Sequence, residues 1–335
     1  MEKHTIKPGQ QRFDYFLASC EALLIKAATQ KNPGLWLYQH DFRTPLFMLE
    51  GLSKLYADLH NRKKFTKLKE RFKFLEDILG GADYYDCFAK EFAAGKKVPK
   101  PAIAYLQAQQ KQKITALNDI LTDKAWLKDN SRIRKIKVNL QDSDWLKQDK
   151  EIHLVNDYYQ DQVARIIAFV QEKRFQFKDM ESDVHELRRK LRWLSIYPQA
   201  LRGAIQLTAD KKYPKFLEKY LSKEITGSPF NKMPDAENNT CFLMLDQHRF
   251  YALSWMIAEL GVIKDNGLRI FALKEAIEQT EKLDDTASLK RAYELLGKKQ
   301  PPISELLAQA ENITRSYFKE KNLQALVAGV AKVKS

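Results

Sequence analysis

Asp183-Val-His-Glu-Leu-Arg-Arg-Lys-Leu-Arg-Trp-Leu194 reads as a helix with two unlike faces. His185, Arg188, Arg189 and Arg192 fall at i, i+3, i+4 and i+7, so one face carries a histidine and three guanidiniums. Val184, Leu187, Leu191 and Leu194 form the opposing apolar stripe. Like charges stacked at helical spacing cost a few tenths of a kcal/mol per pair, a cost that an anionic ligand would repay. A solvated basic face is the plain alternative, because most charge runs are that.

Gln39-His-Asp-Phe-Arg-Thr-Pro-Leu-Phe-Met-Leu49 repeats the His-x-x-Arg spacing with His40 and Arg43. Each copy is followed by Leu-Gly and then an aspartate: Glu76-Asp-Ile-Leu-Gly-Gly-Ala-Asp83 and Ala258-Glu-Leu-Gly-Val-Ile-Lys-Asp265. Two signals in the same order argue for a duplicated helical unit. The spacings differ, 40 residues from His40 to Gly80 against 76 from His185 to Gly261, so the second copy needs a long insertion. A breaker-rich loop near 223–240, including Thr226-Gly-Ser-Pro-Phe-Asn-Lys-Met-Pro-Asp235, stands where one is required.

The chain has 335 residues, 44% of them hydrophobic, enough for a sizeable core. Gly 12 and Pro 11 are low counts, which suits long helices. Apolar stripes predict helices over 10–30, 35–59, 61–79, 83–92, 101–127, 149–175, 179–207, 243–260, 266–282, 286–296, 302–319 and 322–332. Gly80-Gly81 reads as the end of one of them, and Pro45 as a kink or a true start capped by Thr44. Ser131-Arg-Ile-Arg-Lys-Ile-Lys137 alternates like a strand but has no visible partner, so helix or loop is preferred. The fold class expected is all-α: two antiparallel helical-bundle halves, 1–145 and 146–335, related by an internal repeat.

A net charge of +14 favours a polyanion as partner. Cys20, Cys87 and Cys241 make neither a disulfide framework nor a zinc pattern, which points to a reducing compartment and the cytoplasm. Met1-Glu-Lys-His-Thr-Ile-Lys-Pro-Gly9 has no apolar signal region, and no apolar run is long enough to cross a bilayer. No membrane partner is expected, and no glycine-rich phosphate loop or dinucleotide fingerprint calls for a cofactor. The oligomeric state is open. Lys64, Lys67 and Arg71 form a further basic stripe, read equally as part of the anion surface or as a solvated face.

The paired signals resemble the CHAD family, the conserved histidine α-helical domain. The resemblance covers roughly residues 10–330. It implies two helical-bundle repeats, each opened by a histidine helix, and a basic groove or pore that binds inorganic polyphosphate without turnover. His185, Arg188, Arg189 and Arg192 match the second histidine helix; His40 and Arg43 match the first. Leu46, Phe47, Met48 and Leu49 stand where the family usually keeps arginines, and Ala82 where an arginine usually precedes the aspartate.

Three other readings compete. His40-Asp-Phe-Arg-Thr-Pro-Leu46 is similar to the phosphoacceptor box of sensor histidine kinases, with His40 as nucleophile and Asp41 as neighbouring base. No ATP lid or asparagine box follows it, which leaves a histidine-phosphotransfer protein as the form of that alternative. Nucleic acid is a possible partner through the basic charge and Tyr84, Tyr85, Tyr158 and Tyr159, although such tyrosines are more often core. A metal site between His40 and His185 is disfavoured, because the flanking guanidiniums repel a cation. Asp83 and Asp265 are read as helix caps or ion-pair partners that orient arginines.

Overall fold

The computed structural model describes residues 7–127, 129, 131–208 and 212–332. The chain is mostly α-helical, with a small three-stranded sheet. The first six residues of the N-terminal reading lie outside the described residues.

Helix α1 (Pro8–Ala28) buries Phe13, Leu17, Cys20 and Leu24 along one stripe. Asn32 caps α2 (Pro33–Gln39) by accepting from the Leu35 amide at 3.1 Å. The helix expected over 35–59 is broken: Asp41 sits at φ 53, and α3 (Arg43–Leu59) starts afresh at Arg43. Pro45, in the first turn of α3, has no helical acceptor to lose there. Thr44 lies inside the helix and donates to Asp41 Oδ1 at 2.8 Å, rather than acting as the cap.

Helix α4 (Arg62–Gly95) corrects a second expectation. Gly80-Gly81 does not end it; the helix runs 34 residues, about 50 Å, straight through. Residues 83–92 are its continuation. The chain then returns in α5 (Lys100–Asp123), and α6 (Ser131–Gln141) settles the alternating 131–137 segment as helix. Helix α7 (Gln148–Glu172) leads through a wide π turn, Met180–His185, into α8 (Glu186–Ala200).

Between α8 and the next long helix lie strand β1 (Ile205–Leu207), a 3-10 turn (Lys215–Tyr220), the single-turn α9 (Lys223–Thr226) and strand β2 (Cys241–Leu245). Helix α10 (Gln247–Glu281) is a single 35-residue helix, so Leu260-Gly261 is no turn either. Then come α11 (Asp285–Leu296), α12 (Ile303–Lys319) and strand β3 (Val327–Lys332). The strands correct three readings, since 205–207, 243–245 and 327–332 fell in expected helices. β1 pairs parallel to β2, Ile205 beside Leu243, and β2 pairs antiparallel to β3, from Cys241 opposite Lys332 to Leu245 opposite Val327.

One continuous apolar core joins both halves, from Phe13 and Leu46 to Leu191, Leu253 and Leu326. A smaller core packs the far end of α4 against α10 through Phe88, Phe92, Leu273 and Ile277. Each fully buried Leu or Phe contributes about 2 kcal/mol of apolar transfer. One charge pair is buried in the main core: Arg12 pairs with Glu151, and the Tyr56 hydroxyl donates to Glu151 Oε1 at 2.6 Å and accepts from Arg12 at 2.9 Å. These three tie α1, α3 and α7 together. No described helix is long and apolar enough to cross a membrane.

Candidate functional site

Helices α3 and α4 from the first half meet α8 and α10 from the second, and three arginines gather where they meet. Arg43, at the start of α3, reaches α4. Its Nε donates to Glu76 Oε1 at 2.7 Å, and its Nη1 lies 3.3 Å from Asp83 Oδ2. The guanidinium lies against the open side of Gly80. Asp83 is thus an ion-pair partner, as one of the two expectations had it, and not a cap.

Arg188 makes the equivalent crossing from α8 to α10. Its Nε donates to the Ile257 carbonyl at 3.2 Å, and its guanidinium lies against Gly261. Burial lowers its pKa, opposed by the charge of Asp265. Asp265 itself pairs with Lys264 at 2.7 Å. The two Leu-Gly segments are therefore flat places on long helices against which an arginine packs.

Arg192, one turn beyond Arg188, stacks its guanidinium 4.4 Å from the centre of the Phe47 ring. Phe47 stacks in turn on Trp193 at 4.9 Å. Arg192 makes no ion pair with any described carboxylate, yet none of its nitrogens is sealed from solvent. Its pKa is lowered to about 10, first by burial and then by the charges of Arg188 and Arg43. Partly desolvated cations that repel one another make a site whose free energy falls when an anion arrives.

The remaining expected residues separate from this cluster. Arg189 is more than half exposed and pairs with Glu186 on its own helix. His185 closes the π turn, with its Nδ1 2.8 Å from Glu181 Oε2. Asp179 and Asp183 hold that turn by accepting the amides of Ser182 and Lys178, each at 2.7 Å. His40 lies in the break between α2 and α3, not on one helix with Arg43. It donates from Nδ1 to the Trp36 carbonyl at 2.8 Å and stacks on the Trp36 ring at 3.9 Å. Among the described residues neither histidine hydrogen-bonds to Arg43, Arg188 or Arg192.

Lys64, Lys67 and Arg71 stand on the side of α4 away from Glu76, Gly80 and Asp83, at about 100° per residue. Lys64 Nζ is occupied by Ser143 Oγ at 2.6 Å, and burial lowers its pKa. Lys67 and Arg71 are exposed. This stripe is not brought to the arginine cluster.

Sequence reasoning missed four neighbours of the cluster. Glu76 and Glu50 are buried carboxylates, and Phe47 and Trp193 form the stack beneath Arg192. Burial, then the charge of Glu76, raises Glu50 to about 7. The signal for Glu76 was its position four residues before Gly80. No signal marked Phe47, which reads as an ordinary apolar residue. Among the described residues no group of three or more His, Cys, Asp or Glu side chains has a metal-binding arrangement.

No family model, curated protein or solved structure matches this chain.

Proposed function

We propose that the protein binds inorganic polyphosphate, or a similar phosphorylated polyanion, without turning it over, at the cluster of Arg43, Arg188 and Arg192. The observation that carries this reading is the convergence of the three guanidiniums from two halves of the chain. Arg188 and Arg192 lack a carboxylate partner among the described residues. Guanidinium binds phosphate through charge-assisted, often bidentate hydrogen bonds, which a carbonyl or an aromatic ring does not replace. The formal charge of +14 supplies a long-range field of the matching sign.

The resemblance to the CHAD family, and a duplication relating the two halves, belong to the same proposal. Their support is the pair of arginines, each three residues after a histidine, that pack on the glycine of a Leu-Gly segment: Arg43 on Gly80 and Arg188 on Gly261.

The test is a titration with long-chain polyphosphate at two salt concentrations, with duplex DNA as competitor. The expected result is binding that weakens steeply with salt and resists displacement by DNA. The double variant Arg188→Glu, Arg192→Glu, checked for retained helicity, loses it. Unchanged affinity in that variant overturns the site, and equal competition by DNA reduces the surface to a general basic one.

A further inference from the structure

Lys54 lies on α3, one turn after Glu50, beside the Phe47–Trp193 stack. Its Nζ sits 4.9 Å over the Trp193 ring, as Arg192 sits over the Phe47 ring. The two cations thus share one continuous aromatic shelf, with Glu50 close to both. Lys54 is partly buried, makes no ion pair with any described carboxylate and is not sealed from solvent.

The groups that face it come from three helices. Glu50 is on its own helix, Lys69 is on α4, and Arg189 and Lys190 are on α8. Three of the four are cations. Lys190 is drawn off towards Glu186 Oε1 at 3.1 Å and Arg189 towards the same carboxylate, while Lys54 stands over Trp193. Burial, then the charge of Lys190, lowers its pKa to about 8, so near that pH the amine is partly neutral.

We propose that Lys54 completes the anion site, meeting a second phosphate of the ligand bound at Arg192 and taking up a proton as that ligand arrives. This inference rests on the polyphosphate reading. It adds a residue and a proton count that the reading alone does not contain. A lysine with nothing but solvent around it is charged before the ligand comes and takes up no proton. A lysine crowded by cations gains its proton only when an anion offsets them.

The test is calorimetric binding of long-chain polyphosphate to the full chain at pH 8 in two buffers of different ionisation heat, for the wild type, Lys54→Met and Lys54→Arg. Internal phosphate units do not titrate near this pH, so the ligand contributes little to the count. Lys54→Met keeps the stem on Trp193, and is expected to weaken binding about tenfold in the same titration. Lys54→Arg restores the affinity, because arginine stays charged, but takes up a smaller fraction of a proton than the wild type. It presents Glu50 with the same charge that Lys54 carries in the complex, so the proton uptake that is lost in Lys54→Arg is the uptake that depends on Lys54. Equal proton uptake in those two proteins, or unchanged affinity in Lys54→Met, overturns the proposal while leaving the arginine site standing. No polyphosphate binding by the wild type overturns both.

Discussion

A methyl group on Gly80 would lie 2.7 Å from Nη2 of Arg43, closer than any side chain can stand. The glycine is inside a helix, where alanine is favoured by up to about 1 kcal/mol. Gly80→Ala gains that helix propensity but pushes the guanidinium away from the buried Glu76, so stability is expected to stay the same or fall modestly. Polyphosphate affinity should fall several-fold. Thermal unfolding and the binding titration, run on the same preparation, check both halves. A loss of stability without a loss of affinity would show that the glycine serves packing alone.

Arg192 tests whether geometry or charge matters. Arg192→Lys keeps the charge but gives up the flat group that rests on Phe47 and the paired donors. The expected outcome is a tenfold or greater loss of affinity, about 1.4 kcal/mol, with an unaltered melting temperature. Equal affinity would mean that the site reads charge alone.

Glu50 predicts a stability profile. Its folded pKa of about 7 lies above the ordinary 4.5, so the folded chain holds this proton more tightly than the unfolded one. The stabilisation is complete below pH 4.5 and is lost as pH rises through 7. Glu50→Gln should match the wild type near pH 4 and exceed it at pH 8, by at most about 3 kcal/mol. Lys54 acts in a higher window: with its pKa lowered to about 8, its contribution is present at high pH and is lost as pH falls through that value. Denaturant melts at several pH values on wild type and Glu50→Gln decide the first claim. A constant difference between the two proteins would contradict it.

The buried trio of Arg12, Tyr56 and Glu151 predicts the largest single loss of stability. Glu151 is fully buried and Arg12 is 3% exposed. Glu151→Ala leaves a guanidinium in the core without its counterion, and should cost about 3–5 kcal/mol in urea unfolding. Replacing Arg12 and Glu151 together by apolar residues of similar volume should cost much less, because no orphan charge remains. An equal cost for both variants would place the effect in lost packing volume.

The long helices were legible because their apolar stripes are regular, as Phe65, Leu68, Phe72, Leu75 and Leu79 are along α4. Arg188 and Arg192 were legible for the same reason, since helical spacing puts both on the face that reaches α10 and α3. The break before α3 was legible only as one of two meanings of Pro45, and its place at Asp41 was not. It depends on one left-handed residue, and aspartate is only one of several residue types that adopt it. The Gly80-Gly81 pair was read as a stop because glycine more often ends helices than admits a neighbour. What overrides that tendency is a guanidinium from a residue 37 positions earlier in sequence, a contact that no local pattern contains. The strands were hidden because Cys241-Phe-Leu-Met-Leu245 runs directly into a true helix, and a short apolar run carries no period of its own. Lys64, Lys67 and Arg71 kept their helical spacing but face the other way, which a single helix cannot reveal about its surroundings.

Strand β2 is held between β1, about 35 residues before it, and β3, which follows only after α10, α11 and α12. During synthesis β2 is therefore made long before its antiparallel partner exists. Its Cys241, Leu243 and Leu245 side must wait, with one edge unmatched, while three helices emerge and fold. A ribosome pause between α10 and β3 would lengthen that exposure, and with it the time in which the free edge of β2 can pair wrongly.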